Sequence, residues 1–167
     1  CHYCLNDDLL LDYLDFFEER GIGIINASPL SMGLLSQRGT PDWHPAPEPL
    51  KEACARAAAY CTEQGYPIEK LAVQYSTSLN PRIATTLFSS ANPENVLKNI
   101  SYVDEPLDME MVAKVREIIG DQIRVRWKNS ECHGDKRYPQ PSVAEAGHLM
   151  ERSADPLPEE RKVDIPR

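Results

Sequence analysis

Apolar residues recur at helical spacing in Leu9, Leu10, Leu14, Phe16 and Phe17, behind an Asn6-Asp7 capping pair and ahead of a stop at Gly21. The next segment, Gly21-Ile22-Gly23-Ile24-Ile25, is short and apolar, which predicts a strand buried on both faces. It runs into Asn26-Ala27-Ser28-Pro29-Leu30, where Pro29 lacks the N–H that a ladder needs. A loop with five prolines, from Pro29 to Pro49, comes next. An alanine-rich stretch predicts a helix from about Pro49 to Gln64, stopped by Gly65, and Ile68 to Ser78 predicts another. The β-branched run from Arg82 to Phe88 reads as a second strand. Asn92-Pro93-Glu94 then starts a helix by the usual rules: Asn as N-cap, Pro at the first helical position, an acid in the first turn. A last helix is expected from about Asp108 to Ile119.

Two strands that each lead through a loop into helices are the grammar of a parallel α/β protein. Two parallel strands alone leave both sheet edges unpaired. A closed (β/α) barrel of eight strands takes ~250 residues, so the expected fold is the C-terminal part of a (β/α)8 TIM barrel, residues 1–128. From Asn129 the pattern changes: Pro139, Pro141, Pro156, Pro158 and Pro166 stand among alternating charges with few large apolar groups. Such a segment cannot offset its ordering entropy, and 129–167 is expected to be a disordered tail, the first part cut by a protease.

Charge and cysteine content narrow the class. The chain carries 26 acids against 18 bases, net −8, which argues against a nucleic-acid partner. No apolar run approaches ~18 residues, so no membrane span is expected. It opens at Cys1 with no charged-then-apolar leader, so no signal peptide is expected, and five cysteines, an odd number, point to a reducing, cytoplasmic setting. Cys1 and Cys4 have Cys-x-x-Cys spacing but no second pair, only Cys132 and His133 far along the chain, so no metal site is expected. Cys54 and Cys61, seven apart on the alanine-rich helix, read as core residues.

Two constellations suit an anion. Ser28-Pro29-Leu30-Ser31-Met32-Gly33-Leu34 follows the first strand, where small residues let backbone N–H groups approach closely; a serine-capped surface turn is the alternative. Ser89-Ser90-Ala91-Asn92-Pro93-Glu94-Asn95 follows the second strand at a helix start, which suits phosphate; an ordinary capped helix is the alternative. The loops after the last two strands of (β/α) barrels frequently bind phosphate. Trp43-His44, in the Pro-rich loop, reads either as a substrate contact or as a packed surface aromatic.

The stretch GIGIINASPLSMGLLSQRGTPDWHPAPEPLKEAC resembles the aldo-keto reductase superfamily, and its TPDWHPA loop is similar to the L-galactose dehydrogenase group. IEKLAVQYS and SSANPENVLKN continue the likeness, which ends near Lys128. The resemblance implies an NAD(P)-dependent oxidoreductase moving a hydride between nicotinamide and a sugar carbonyl or hemiacetal carbon. It implies that Ser28, Leu30 and Gly33 cradle the cofactor pyrophosphate. The family's adenosine-side lysine, serine, arginine and asparagine fall on Ser89, Ser90, Asn95 and Asn99. An aromatic residue that often stacks on the nicotinamide falls on Ala27. The family's catalytic aspartate, tyrosine, lysine and histidine match no residue of this chain, so no catalytic residue is expected in it. The neutral Ser89 and Asn95 favour NAD over NADP, with Arg82 and Lys98 the nearby cations that would allow NADP. The alternative reading is a truncated, non-catalytic product that acts at most as a binding or interaction module.

Overall fold

The computed structural model describes residues 2–78 and 80–127. The expectations for the 129–167 tail, for Cys1 and for Cys132-His133 lie outside the described residues. The first predicted helix is divided into a 3-10 stretch, Leu9–Tyr13, and α1 (Leu14–Glu18). The Asp7 carboxylate accepts the Leu9 N–H at 3.0 Å and satisfies one free donor at the start of that run. At the other end Gly21 N–H bonds the Glu18 carbonyl and Ile22 N–H bonds that of Phe17, a Schellman closure. That closure takes up Gly21 and Ile22, so the strand expected at 21–25 starts later, as β1 (Ile25–Ala27). Helix α2 (Glu48–Glu63) ends in the same pattern, with Gly65 bonded to Thr62 and Tyr66 to Cys61. Then come α3 (Ile68–Ser78), β2 (Thr85–Leu87), α4 (Pro93–Val103) and α5 (Met109–Ile119). Asn92 caps α4 through the Glu94 N–H at 2.9 Å, and Asp108 caps α5 through Glu110 and Met111, both at 3.0 Å.

The two strands pair in parallel, with Ile25 opposite Thr85, Asn26 opposite Thr86 and Ala27 opposite Leu87. The ladder gains a bond at each end, from Ala84 N–H to the Ile24 carbonyl at 2.9 Å and from Ser28 N–H to that of Leu87 at 3.0 Å. Side chains alternate between faces. Asn26 and Thr86 lie on the covered face: the Asn26 amide meets the backbone of Tyr3, and the Thr86 hydroxyl donates to the Ser76 carbonyl of α3 at 2.8 Å. The other face is open: Ile25 is 62% and Leu87 56% exposed. Burial on both faces, expected from the apolar run, is therefore corrected. Helix α3 and the N-terminal segment at Tyr3 cover one side of the pair, and no described residue covers the other.

The core lies between helices. Leu50, Cys54, Ala57 and Cys61 of α2 recur at helical spacing and join Leu71 of α3 with Val112, Val115 and Ile119 of α5 in one cluster. Cys54 and Cys61 are core residues, as expected, and burial pushes their thiols up to about 12 and about 11. The N-terminal segment is tied to the last helix by charge. Arg116 of α5 donates to the Leu5 carbonyl at 3.1 Å and to Asp8 at 2.8 Å, and Arg124 meets the second Asp8 oxygen at 2.6 Å. Burial alone would raise the Asp8 carboxyl, yet the two guanidinium groups hold it below its usual range.

Candidate functional site

Parallel pairing sets the carboxyl ends of β1 and β2 side by side, and the loops leaving them share a cavity of about 400 Å³. Its walls are Ala27 at the end of β1 with Ser28 to Leu30, Met32 and Gly33 of the loop after it, Leu87 at the end of β2 with Phe88 and Ser89, and Asn99 from α4. Five of the residues expected to hold cofactor, Ser28, Leu30, Gly33, Ser89 and Asn99, thus line one space. No lining side chain is ionisable.

The first loop is unusual in its backbone. Ser28 (φ 60°), Ser31 (φ 46°) and Met32 (φ 58°) all lie in the left-handed region, each at a cost of about 1–3 kcal/mol for a residue with a Cβ. Gly33 follows at φ 98°, and a Cβ there would sit 3.2 Å from Cδ of Pro41, so this position needs glycine twice over. The turn uses its own N–H groups at Ser31, Gly33, Leu34 and Leu35. Among the described residues the N–H groups of Leu30 and Met32 find no protein acceptor. Backbone donors without partners at a strained turn are suited to an anion.

Buried polar side chains hold the turn from below. The Ser31 hydroxyl donates to Asn6 Oδ1 at 2.7 Å, and Cys4 Sγ lies 3.2 Å from the same hydroxyl. Burial pushes the Cys4 thiol up to about 11 despite the Ser31 and backbone hydrogen bonds that pull the other way, so it stays protonated. His44 Nε2 lies 3.0 Å from the Ser31 carbonyl. His44 is 2% exposed and Trp43 lies outside at 60%, so the histidine meets neither expectation: it is a buried support of the turn. Asn26 fixes the segment that carries Cys4, accepting the Tyr3 N–H at 3.1 Å and donating to the Tyr3 carbonyl at 2.8 Å. Sequence reasoning did not single out Asn6, Cys4 or Asn26 for this role. Their partners lie 23 to 27 residues away and follow no period.

On the second loop, Ser90 and Asn95 lie outside the cavity lining. The Ser90 hydroxyl accepts the Asn92 N–H at 3.2 Å and the Asn95 amide at 3.5 Å. The first-turn N–H groups of α4 are taken as well: Glu94 by the Asn92 side chain, Asn95 and Val96 by the Asn92 carbonyl. The helix start therefore offers its dipole rather than free donors. Asn99 is 7% exposed, and among the described residues its amide has no hydrogen-bonding partner. Its amide atoms are not among the fully buried unpaired ones, so they stay open to the cavity they line. Arg82 is engaged elsewhere, with Asp15 at 2.7 Å and Glu18 at 2.5 Å, while Lys98 is exposed and lies 6.0 Å from the Tyr102 ring centre. Among the described residues no group of three His, Cys, Asp or Glu is placed to hold a metal ion. Nor is any described helix long and apolar enough to cross a membrane.

Comparison with known proteins agrees with this architecture. The sequence profile of the aldo/keto reductase family matches residues 5–120. L-galactose dehydrogenase of Arabidopsis thaliana is 40% identical over 131 residues, which cover 76% of this chain and 41% of that protein. D-arabinose 1-dehydrogenase of Saccharomyces cerevisiae is 42% identical over 55 residues, 33% of this chain and 16% of the relative. An aldo-keto reductase from Bacillus halodurans, solved in its holo form, superposes with a TM-score of 0.52 at 16% identity. That match covers 79% of this chain and 44% of that one, and it speaks for the fold. The chain spans less than half the length of the relatives it matches. The parallel strand pair, the helices packed on one face of it and the matched span of 116 residues together make this chain a member of the aldo/keto reductase family, whose fold is a TIM barrel.

Proposed function

We propose that this chain forms the dinucleotide-binding part of an NAD(P)-dependent aldo-keto reductase that acts on an aldose of the L-galactose kind. One observation carries the reading: two loops from adjacent parallel strands and Asn99 of α4 line one cavity, and they bring together five of the residues that match the cofactor-binding positions. The residues fit a dinucleotide. The free N–H groups of Leu30 and Met32 and the Ser28 hydroxyl hold the pyrophosphate, and Gly33 lets the chain pass beside it without a clash. Asn99 offers both a donor and an acceptor to the adenine edge. Ser89, with the Ser90–Asn95 pair beside it, bonds the adenosine ribose. The bound nicotinamide supplies the hydride chemistry. A neutral second loop favours NAD, since a 2′-phosphate calls for a cation that Ser89 and Asn95 do not provide. The acid–base residues of the reaction are expected outside this chain. The setting is cytoplasmic, with a small-molecule sugar as partner rather than nucleic acid or membrane.

The test is a calorimetric titration of the 167-residue chain with NAD, beside the Asn99→Ala variant, with circular dichroism to verify the fold. Loss of the Asn99 bonds should weaken binding about tenfold, the equivalent of about 1.4 kcal/mol. Equal affinity in the variant would overturn the assignment of Asn99, and a folded chain that binds no NAD would overturn the reading as a whole. That last outcome would favour the alternative, a non-catalytic interaction module, for which the open face of Ile25 and Leu87 speaks.

A further inference from the structure

His44 does not line the cavity, yet it is bonded to the most strained part of its wall. Its Nδ1 accepts the Ala46 N–H at 3.1 Å. An imidazole nitrogen that accepts carries no proton, so the proton sits on Nε2, which donates to the Ser31 carbonyl at 3.0 Å. The ring stacks on Trp43 with centres 5.9 Å apart and meets the edge of Trp127 at 5.0 Å. Ser31 opens the left-handed pair Ser31–Met32, which the chain would leave if it were not held.

We propose that His44 is the positioning residue of the cofactor loop, a latch that fixes the turn at Ser31 to Gly33 only while its imidazole is neutral, so that dinucleotide binding weakens when the ring is protonated. The inference rests on the reading of that turn as the pyrophosphate cradle. A proton on Nδ1 would point at the Ala46 N–H, donor against donor across 3.1 Å. The ring must then turn or Ala46 must withdraw, and either movement pulls on the Ser31 carbonyl. The surroundings do not reward an imidazolium. Lys51 of α2 contributes like charge, and its own partner is Glu48 at 3.7 Å. Asp42, in the same loop, is exposed. Across the turn Cys4 stays a neutral thiol, and Asn6, Trp43 and Trp127 are uncharged. Burial first, and Lys51 with it, hold the ring below its ordinary value, although the Ser31 bond works the other way. A lowered value means that the neutral form is favoured by the fold. The latch is therefore closed above the ordinary histidine pKa of about 6.5 and opens as pH falls beneath it.

Two measurements on the 167-residue chain test this. The first follows imidazole nitrogen resonances and backbone amide signals from pH 8 to pH 4.5 without ligand, with His44→Gln identifying the resonance among the chain's four histidines. The second is NAD affinity by calorimetry over the same range for wild type, His44→Gln and His44→Ala. Glutamine places a neutral N–H donor near the Nε2 position and cannot be protonated. We expect the Nε2–H tautomer, a midpoint below pH 6.5, and Ser31, Met32 and Gly33 amides that shift with it. NAD affinity should fall at least tenfold across the transition in wild type and less than twofold in His44→Gln, with His44→Ala weak throughout. An Nδ1–H tautomer, turn amides that ignore the titration, or a His44→Gln profile that copies wild type would overturn the proposal. If the amides follow His44 but NAD binds at no pH, the cofactor reading fails and the latch itself stands.

Discussion

Replacing Asn26 by aspartate exchanges one NH2 group for one oxygen at a position only 3% exposed, and the consequence follows from three contacts. The Asn26 amide donates to the Tyr3 carbonyl at 2.8 Å and to the Thr86 hydroxyl at 3.3 Å, and it accepts the Tyr3 N–H at 3.1 Å. It thereby stands in for a neighbouring strand and fastens Tyr3 beside β1. An aspartate keeps the acceptor but sets a carboxylate oxygen against the Tyr3 carbonyl oxygen. A lost hydrogen bond of about 1 kcal/mol plus about 2 kcal/mol for a buried carbonyl left unpaired gives about 3 kcal/mol at pH 7. A protonated carboxyl can donate again, so the penalty is bound to pH. At 1.36 kcal/mol per unit, it corresponds to a folded-state carboxyl raised by about two units, from about 3.9 to about 6. The sign follows: a raised acid leaves the penalty absent below about pH 4 and complete above about pH 6. Urea unfolding of both proteins between pH 4 and pH 8, followed by circular dichroism, reads the difference, and acid losses common to both cancel. The midpoint should move while the slope stays constant. A difference under 1 kcal/mol at pH 7, or one that does not change with pH, would show that this amide is not what holds Tyr3.

Asp8→Asn removes the charge shared by Arg116 and Arg124 and should destabilise the chain by about 2–3 kcal/mol at pH 7, as for other partly buried charged hydrogen bonds. Because the pair holds Asp8 below its usual value, its contribution is present above about pH 4 and fades on acidification. The variant should therefore lose less stability than wild type between pH 5 and pH 3, and parallel acid limbs would refute the role. Asn95→Arg should shift cofactor preference toward NADP by about tenfold, one charged hydrogen bond's worth. Titration of both cofactors reads this, and an unchanged ratio would mean that the 2′ position lies elsewhere.

Helix ends were legible because their chemistry is local. Gly21, Gly65 and Asn92 bond partners within five residues and do what their positions in the pattern predict, while Asp108, read only as a helix start, caps α5. The first strand was displaced for a related reason: Gly21 serves as a helix stop, and one residue cannot also open a strand. Parallel pairing was legible from the alternation of short apolar runs with helices. The one-sided burial of the sheet was not, since apolar content reports what a residue can bury and not what is present to cover it. The two loops proposed to hold an anion were visible as composition, and resemblance selected their residues. The supports of the first loop left no trace in the pattern. Cys4, Asn6, Asn26 and His44 act through partners 13 to 60 residues away, and polar residues buried by tertiary contacts show no period. The Asp8–Arg124 pair spans 116 residues for the same reason.

The two walls of the cavity are held to different degrees, and under the proposed function this separates affinity from selectivity. Three non-glycine residues of the first loop carry positive φ, a strain of several kcal/mol if each costs about 1–3 kcal/mol. Such a turn persists only where its surroundings over-determine it, and here Asn6, Cys4 and His44 all converge on Ser31. Donors fixed before a ligand arrives lose little freedom when it binds, so under the proposed function the Leu30 and Met32 amides should convert most of their hydrogen bonding into affinity. The second loop is built otherwise. Ser89 and Ser90 are exposed, and the Ser90–Asn95 contact is long at 3.5 Å. Side chains so lightly held must be ordered by the ligand, at about 0.5–1.5 kcal/mol each, and contribute less to affinity. They are correspondingly easy to replace. A pyrophosphate is common to NAD and NADP, whereas the 2′ substituent is what distinguishes them. On the proposed function the rigid wall suits the shared part of the cofactor, and substitutions on the loosely held wall should alter cofactor choice without disturbing the strained turn.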